Sequence, residues 1–286
     1  MASLRIEAPA KVNLYLHVTG RRADGYHLLD SLVAFAQIGD TLDIEEADEL
    51  TLVNTGPFGA VLDPGPDNLV LRAARSLAAE TGVRAGAKLT LTKRVPVAAG
   101  LGGGSADAAA TLEGLADLWD LDVDDEDLAR LGVDLGADVP VCLYGHPAYI
   151  SGIGETIEAA PRLPETHLVL ANPGTPVLTA AVYKAQGGRF TPAARFADAP
   201  ADARALAALL ARRDNGLARA ALEIAPVIAE VIAALADADD CLLARLCGSG
   251  PTCYGIFPDA RATEAAARHL AQRHPGWWVS ATRLAD

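Results

Sequence analysis

The stretch Pro96-Val97-Ala98-Ala99-Gly100-Leu101-Gly102-Gly103-Gly104-Ser105-Ala106-Asp107 sets four glycines in five positions between a predicted strand and a predicted helix. The strand spans 88–93, where Leu89 and Leu91 alternate onto one face. The helix runs from about 105 to 119, with Ala109, Leu112, Leu115 and Ala116 as its apolar stripe. Glycines permit positive φ and let a backbone approach a ligand closely. The helix start, over residues 105–108, then offers unpaired N–H groups and the positive end of its dipole. Together they form a cradle for an anion, a phosphate above all, that needs no basic side chain. A flexible surface turn is the plain alternative, and it leaves unexplained why an amphipathic helix begins directly at the glycines.

The 286-residue chain is 51% apolar and 21% charged, a composition that excludes a disordered protein. Its 24 Lys and Arg against 37 Asp and Glu leave a net charge of −13. A field of that sign argues against nucleic acid and anionic membranes as partners, because both draw their affinity from basic surfaces. Any anion must be met by a small local site. The first residues lack the apolar core of a signal peptide, and no apolar run reaches the roughly 18 residues of a membrane span, so the sequence predicts a cytoplasmic protein. The cysteines, Cys142, Cys241, Cys247 and Cys253, form no C-x-x-C pair. They read as buried thiols of a reducing compartment rather than as metal ligands or disulfides.

Outward from the loop, short apolar segments alternate with helical ones. Leu4, Ile6 and Ala8 alternate in an opening strand that Val12, Leu14 and Leu16 resume after a break at Pro9. Residues 28–38 and 41–44 read as two strands turning at Gly39-Asp40. Asp67 or Asn68 can cap a helix that reaches Glu80 and stops at Gly82. The acidic run 122–127 opens a short helix ending near Gly132, and 149–158 is a turn-bearing strand. Beyond it, 167–171, 252–257 and 277–282 read as strands, and 176–184, 203–212, 226–236 and 260–273 as helices. Residues 191–202 read as a loose loop. This mixed order without repeats predicts an α+β fold in two domains, 1–158 and 159–286, joined at the proline-bearing linker 159–164.

Spelling separates the phosphate cradles. A Walker A loop needs Lys after its last glycine, and Gly104 is followed by Ser105-Ala106. A dinucleotide fingerprint needs glycine where Ser105 stands. A protein kinase needs H-R-D and D-F-G, which the chain lacks. Residues 96–106 instead resemble the phosphate loop of the GHMP small-molecule kinases. Ala8-Pro9-Ala10-Lys11-Val12-Asn13-Leu14-Tyr15-Leu16 resembles that family's N-terminal strand, and Arg245-Leu246-Cys247-Gly248-Ser249-Gly250-Pro251-Thr252 its C-terminal glycine turn. The resemblance implies a two-lobed fold, with an N-terminal lobe like the second domain of ribosomal protein S5 and a ferredoxin-like C-terminal lobe. It also implies transfer of the γ-phosphoryl group of ATP, with Mg²⁺, to an alcohol. The strings Asp24-Gly25-Tyr26-His27 and Gly136-Ala137-Asp138-Val139-Pro140 resemble those members whose alcohol is carried on a cytidine diphosphate. Homoserine, phosphomevalonate or a sugar as acceptor, or a ligand-sensing relative without catalysis, are the alternatives. A monomer or weak homodimer is expected.

The resemblance assigns roles residue by residue. Asp138 accepts the proton of the substrate hydroxyl, and Lys11 stands beside it. On spacing alone, Asp138 reads as a helix cap before Val-Pro and Lys11 as a solvated strand-end charge. The backbone of residues 96–106 holds the ATP phosphates, and Asn68 contacts the nucleoside unless it is simply a cap. The Ser105 hydroxyl could reach Mg²⁺; Asp107 and Glu113 are metal candidates by proximity only. Tyr26, His27 and Tyr183 meet the cytidine, the tyrosines by stacking and His27 at the base edge. Thr179, one helical turn before Tyr183, shares that face, and Asn13 lies near the transferred group. A turn closed by Tyr26 and His27, and a core ring at Tyr183, are the plain alternatives. Ala98 and Ala99 stand where some relatives carry glycine, which predicts a stiffer first turn.

Overall fold

The structure, a computed structural model, describes residues 3–63 and 65–285. Two compact units emerge, each discontinuous in sequence. The first takes the chain up to Lys11, Ile38–Val97 and Gly102–Gly145, and the second takes Val12–Gln37, Ala98–Leu101 and everything from His146 onward. The boundary expected at 158/159 falls inside the second unit, because the two longest strands each serve both.

Those strands are β1 (Ser3–Arg21) and β2 (His27–Ala47). Each was expected as two pieces and each is continuous. Pro9 does not interrupt β1, since its fixed φ suits extended backbone. Gly39 does not turn β2. A Cβ there would stand 2.2 Å from the Ala8 carbonyl oxygen, so glycine serves close passage of two strands. Asp40, fully buried, turns inward to bind Lys93 and the amides of Arg94 and Val95. The Gly-Asp signal marks an internal charge rather than a surface bend.

In the first unit, residues 41–47 of β2 pair antiparallel with β4 (Gly86–Thr92), which pairs parallel with β3 (Thr51–Thr55). Four helices belong to this unit: α1 (Leu69–Thr81), α2 (Gly103–Leu118), α3 (Asp125–Leu135) and α4 (Val139–Tyr144). Asn68 caps α1 and Gly82 ends it in the left-handed region, as the sequence implies. The core joins Leu42, Ile44, Leu89 and Leu91 to Leu77 of α1 and to Leu112 and Leu115 of α2. Gly114 of α2 allows that packing, for a Cβ there would lie 2.3 Å from Ile44 Cδ1. The short α4 begins where the cap reading of Asp138 before Val-Pro puts a helix start, and Pro140 sits in its first turn, where no donor is needed.

In the second unit, residues 29–33 of β2 pair antiparallel with β5 (Ala148–Gly152), which pairs with β6 (Thr156–Ala159). A separate antiparallel sheet has the order β10-β7-β9-β8, from β7 (His167–Asn172), β8 (Leu243–Leu246), β9 (Cys253–Phe257) and β10 (Trp278–Arg283). Its helices are α5 (Thr179–Ala185), α6 (Ala203–Ala211), α7 (Ala218–Ile224), α8 (Val227–Ala236) and α9 (Ala260–Arg273). Ile228, Val231 and Leu235 of α8 and Ala266 and Leu270 of α9 join one core with Val169, Leu246 and Phe257 of this sheet. The chain's end closes the unit: Leu284 N–H donates to Thr166 at 2.9 Å and Ala285 N–H to Phe35 at 2.7 Å. Among the described residues no helix is long and apolar enough to cross a membrane.

The segment 191–202, expected to be loose, is strapped down. Buried Asp30 accepts from Tyr15 Oη and Ala194 N–H, both at 2.9 Å, and from Arg195 Nε at 3.0 Å. Burial, with the Asp30 carboxylate, pushes the Tyr15 phenol far above its ordinary value, so it stays a donor. Tyr149 Oη donates to Phe196 O at 2.8 Å, and the Arg213 guanidinium donates to Ala194 O while lying 5.0 Å from the Phe196 ring centroid. Asp30→Ala strands the buried Tyr15 hydroxyl and two part-buried donors, the buried one at about 1–3 kcal/mol. We expect a destabilisation of roughly 2–4 kcal/mol in urea unfolding, and a shift under about 0.5 kcal/mol would contradict the strap.

Candidate active site

The glycine loop winds into helix sooner than the sequence suggested. Gly102, at φ +63°, is the cap of α2, and Ala106 N–H already donates to Gly102 O at 2.9 Å. The amides without intrahelical partners are therefore those of residues 102–105, not 105–108 as expected. Ala106 spends its amide on the helix, and the helix start lies within the glycines. Ala98 is held at φ +54°, where a Cβ costs about 1–2 kcal/mol, so the first turn is strained rather than merely stiff.

Beneath that start lies an ion cluster. Lys93, 3% exposed, binds Asp40 and Asp107, the latter at 2.7 Å. A Cβ at Gly103 would stand 3.4 Å from Lys93 Nζ, which places the ammonium directly under the first turn of α2. Burial pushes the Asp107 carboxyl up to about 7, opposed by Lys93. Its Oδ1 has no hydrogen-bond partner among the described residues. Sequence reasoning passed over Lys93 and Asp40. The available signal was a lysine at the strand end before the loop and an acid in the helix turn after it.

Lys11 and Asp138 meet in the first unit. Lys11 Nζ lies 2.9 Å from Asp138 Oδ2, with the lysine side chain 6% exposed and the aspartate 37%. Asp138 occupies the cap position of α4 yet makes no side-chain cap hydrogen bond. Both plain readings are thus set aside: the lysine is not solvated, and the carboxylate is turned to the lysine instead of the helix. The Lys11 stem runs against the glycine loop, for a Cβ at Gly102 would stand 3.0 Å from its Cε and 3.1 Å from its Cβ. Cys142, on α4, is inert, because burial and Asp138 push its thiol well above the ordinary range.

The second unit carries the residues assigned to the base. His27 and Tyr183 form a ring pair with centroids 5.3 Å apart and planes tilted by 36°. That spacing leaves no slot for a base between them, so a base would stack on one face. Tyr26 is 61% exposed. Thr179 opens α5 one turn before Tyr183, its hydroxyl 2.9 Å from that of Ser249. Burial, then Arg21, lowers the His27 imidazole below its ordinary 6.5. Asn13, two residues beyond Lys11 on β1 and so on the same face, donates to Ser31 Oγ at 2.9 Å. Asn68 fits the plain reading: its Oδ1 caps Val70 N–H at 3.0 Å and its Nδ2 donates to Asp63 O at 3.0 Å.

Two family models match the chain: the GHMP kinases N terminal domain over residues 68–146, and the GHMP kinases C terminal model over residues 198–276. The chain belongs to the GHMP kinases and is a small-molecule kinase. Within that class it falls among the 4-diphosphocytidyl-2-C-methyl-D-erythritol kinases. A relative of that name from Paramagnetospirillum magneticum is 52% identical over 99% of both chains. A crystal structure of 4-(cytidine 5′-diphospho)-2C-methyl-D-erythritol kinase superposes with a TM-score of 0.79 at 34% identity, covering 99% of this chain and 100% of that one. A homoserine kinase from Cytophaga hutchinsonii, at 17% identity and a TM-score of 0.75 over 99% of this chain and 95% of that one, shares the fold.

The described residues contain no group of three or more His, Cys, Asp or Glu placed to hold a metal. Asp107 Oδ2 is taken by Lys93, while its Oδ1 is buried without a hydrogen-bond partner among the described residues. The side chains present do not make a cage for Mg²⁺. Gly102→Ala adds a Cβ at positive φ and against Lys11. We expect kcat to fall at least tenfold with the melting temperature lowered by only a few degrees, measured by coupled assay and calorimetry.

Proposed function

We propose that this chain transfers the γ-phosphoryl group of ATP to the 2-hydroxyl of 4-diphosphocytidyl-2-C-methyl-D-erythritol, releasing ADP and the 2-phosphate. The observation that carries it is Asp138: a carboxylate at a helix-cap position that leaves the cap unmade and pairs with Lys11, whose stem lies along the glycine loop. The names of the relatives at about half identity supply the acceptor.

The amides of residues 102–105 and the α2 dipole hold the phosphates. A carboxylate is too weak a base to deprotonate an alcohol outright. Asp138 therefore orients the hydroxyl by accepting its hydrogen bond. It takes the proton late, as the oxygen bonds to phosphorus and the bond to the departing ADP oxygen breaks. Lys11 keeps the carboxylate oriented and offsets charge on the group in transfer. One such charge at about 4 Å contributes on the order of 4 kcal/mol at an effective dielectric near 20, enough for about a thousandfold in rate. Ser105 is the side chain that would meet a Mg²⁺ ion arriving with the triphosphate, and the ion would offset charge on the phosphates. Tyr183 and Tyr26 stack on the cytosine, neutral His27 pairs with its edge, and Asn13 and Thr179 complete the acceptor site. The absence of disulfides among Cys142, Cys241, Cys247 and Cys253 supports a reducing cytoplasm, and the net charge of −13 supports a protein without nucleic-acid or membrane partners.

ADP release should occur with the cytidylyl acceptor and not with homoserine or phosphomevalonate; turnover of either of the latter at a comparable kcat/KM would overturn the acceptor. Asp138→Asn should retain its fold by circular dichroism and keep less than about a tenth of kcat. Because the His27 value is lowered, KM for the cytidylyl acceptor should stay flat from pH 8 to pH 7 and rise only below 6.5, as the ring becomes charged. A rise beginning above pH 7 would exclude His27 as the edge partner.

A further inference from the structure

Asn215 lies between α6 and α7, buried and distant in sequence from every residue assigned to the chemistry. Both hydrogens of its side-chain amide are committed, to Leu246 O at 3.0 Å and to Gly248 O at 2.8 Å. Its Oδ1 accepts from Leu217 N–H at 2.9 Å. The backbone around it is clamped to β1, since Leu16 N–H donates to Asp214 O at 3.1 Å and Gly216 N–H to Leu16 O at 2.7 Å. Residues 214–216 thus tie the strand that carries Asn13, by their backbone, to the glycine turn after β8, by the Asn215 side chain.

That turn in its turn holds the loop. Thr252 N–H donates to Ala99 O at 3.2 Å, and Cys247 Sγ lies 3.5 Å from Gly100 O. The approach is backbone on backbone: a Cβ at Gly100 would stand 2.6 Å from Gly250 O, and one at Gly248 would stand 3.1 Å from both Gly100 O and Asn13 Oδ1. Gly248 and Gly250 adopt φ of +53° and +82°, open to glycine but one of several conformations it can take, so a hydrogen bond to the Gly248 carbonyl selects its direction. Asn215 supplies it through Gly248 without touching the loop.

We propose that Asn215 is a positioning residue for phosphoryl transfer, fixing the Leu246 and Gly248 carbonyls so that the turn seats Ala99 and Gly100 of the phosphate loop. This rests on the reading of residues 96–106 as the ATP cradle, which the ATP dependence and ADP binding of the wild-type enzyme test first and separately. Asn215→Asp replaces the donor with an acceptor facing two carbonyls, and Asn215→Ala removes it without adding charge. In whichever variant is folded by calorimetry, KM for ATP should rise at least tenfold and kcat fall, with KM for the cytidylyl acceptor within about twofold of wild type. A lowered melting temperature with an unchanged KM for ATP would show a merely structural role and overturn the proposal. On the wild-type protein, adding ADP should slow hydrogen exchange at residues 98–101 and 246–252 together. Protection confined to 98–101 would overturn it as well.

Discussion

The glycine loop hangs on one buried ammonium. Lys93 leaves β4, binds Asp40 of β2 and Asp107 of α2, and sits under Gly103. Burying three charged groups costs several kcal/mol per ion, so the cluster is better understood as fixing geometry than as adding stability. Asp40 also accepts from Arg94 N–H at 2.6 Å and Val95 N–H at 3.0 Å, which sets the direction in which the chain enters the loop. Asp107 sets the rotation of the helix on which the loop ends. With both ends anchored to the same nitrogen, the glycines between can adopt unusual conformations and still present their amides in one place.

Charge is used locally in a protein whose overall charge opposes its substrates. With a net −13, the surface field repels a triphosphate at long range. Neutral amides and the helix dipole do not suffer from that, and the buried lysines at 11 and 93 place positive charge only where it is needed. Asp138 shows the same economy. A capping side chain stabilises a helix by about 1 kcal/mol, and α4 forgoes it, resting on buried Val139 and Val141. The carboxylate is thereby left for Lys11.

Much of this was legible in the residues. The glycine loop, the α1 caps and three strands of the second sheet, β7, β9 and β10, follow from periodicity and turn chemistry, as does the helical turn joining Thr179 to Tyr183, whereas the short β8 goes unread. What misled was context. Gly39-Asp40 spells a turn, and only the passing Ala8 and the distant Lys93 explain why it is straight. Pro9 spells a break until its position in a long strand is known. The 191–202 segment reads as loose because its fasteners, Asp30, Tyr149 and Arg213, lie far away in sequence. Asn215 carries no motif at all; its meaning resides in two carbonyls that sequence does not reveal.

The closing bonds from Leu284 and Ala285 to Thr166 and Phe35 join segments far apart along the chain. The first unit draws on residues up to 145, whereas the second combines 12–37 with residues as far on as 285. Contacts of such long sequence separation slow folding, because loop entropy is lost before they form. The second unit is therefore expected to be the slower of the two to consolidate.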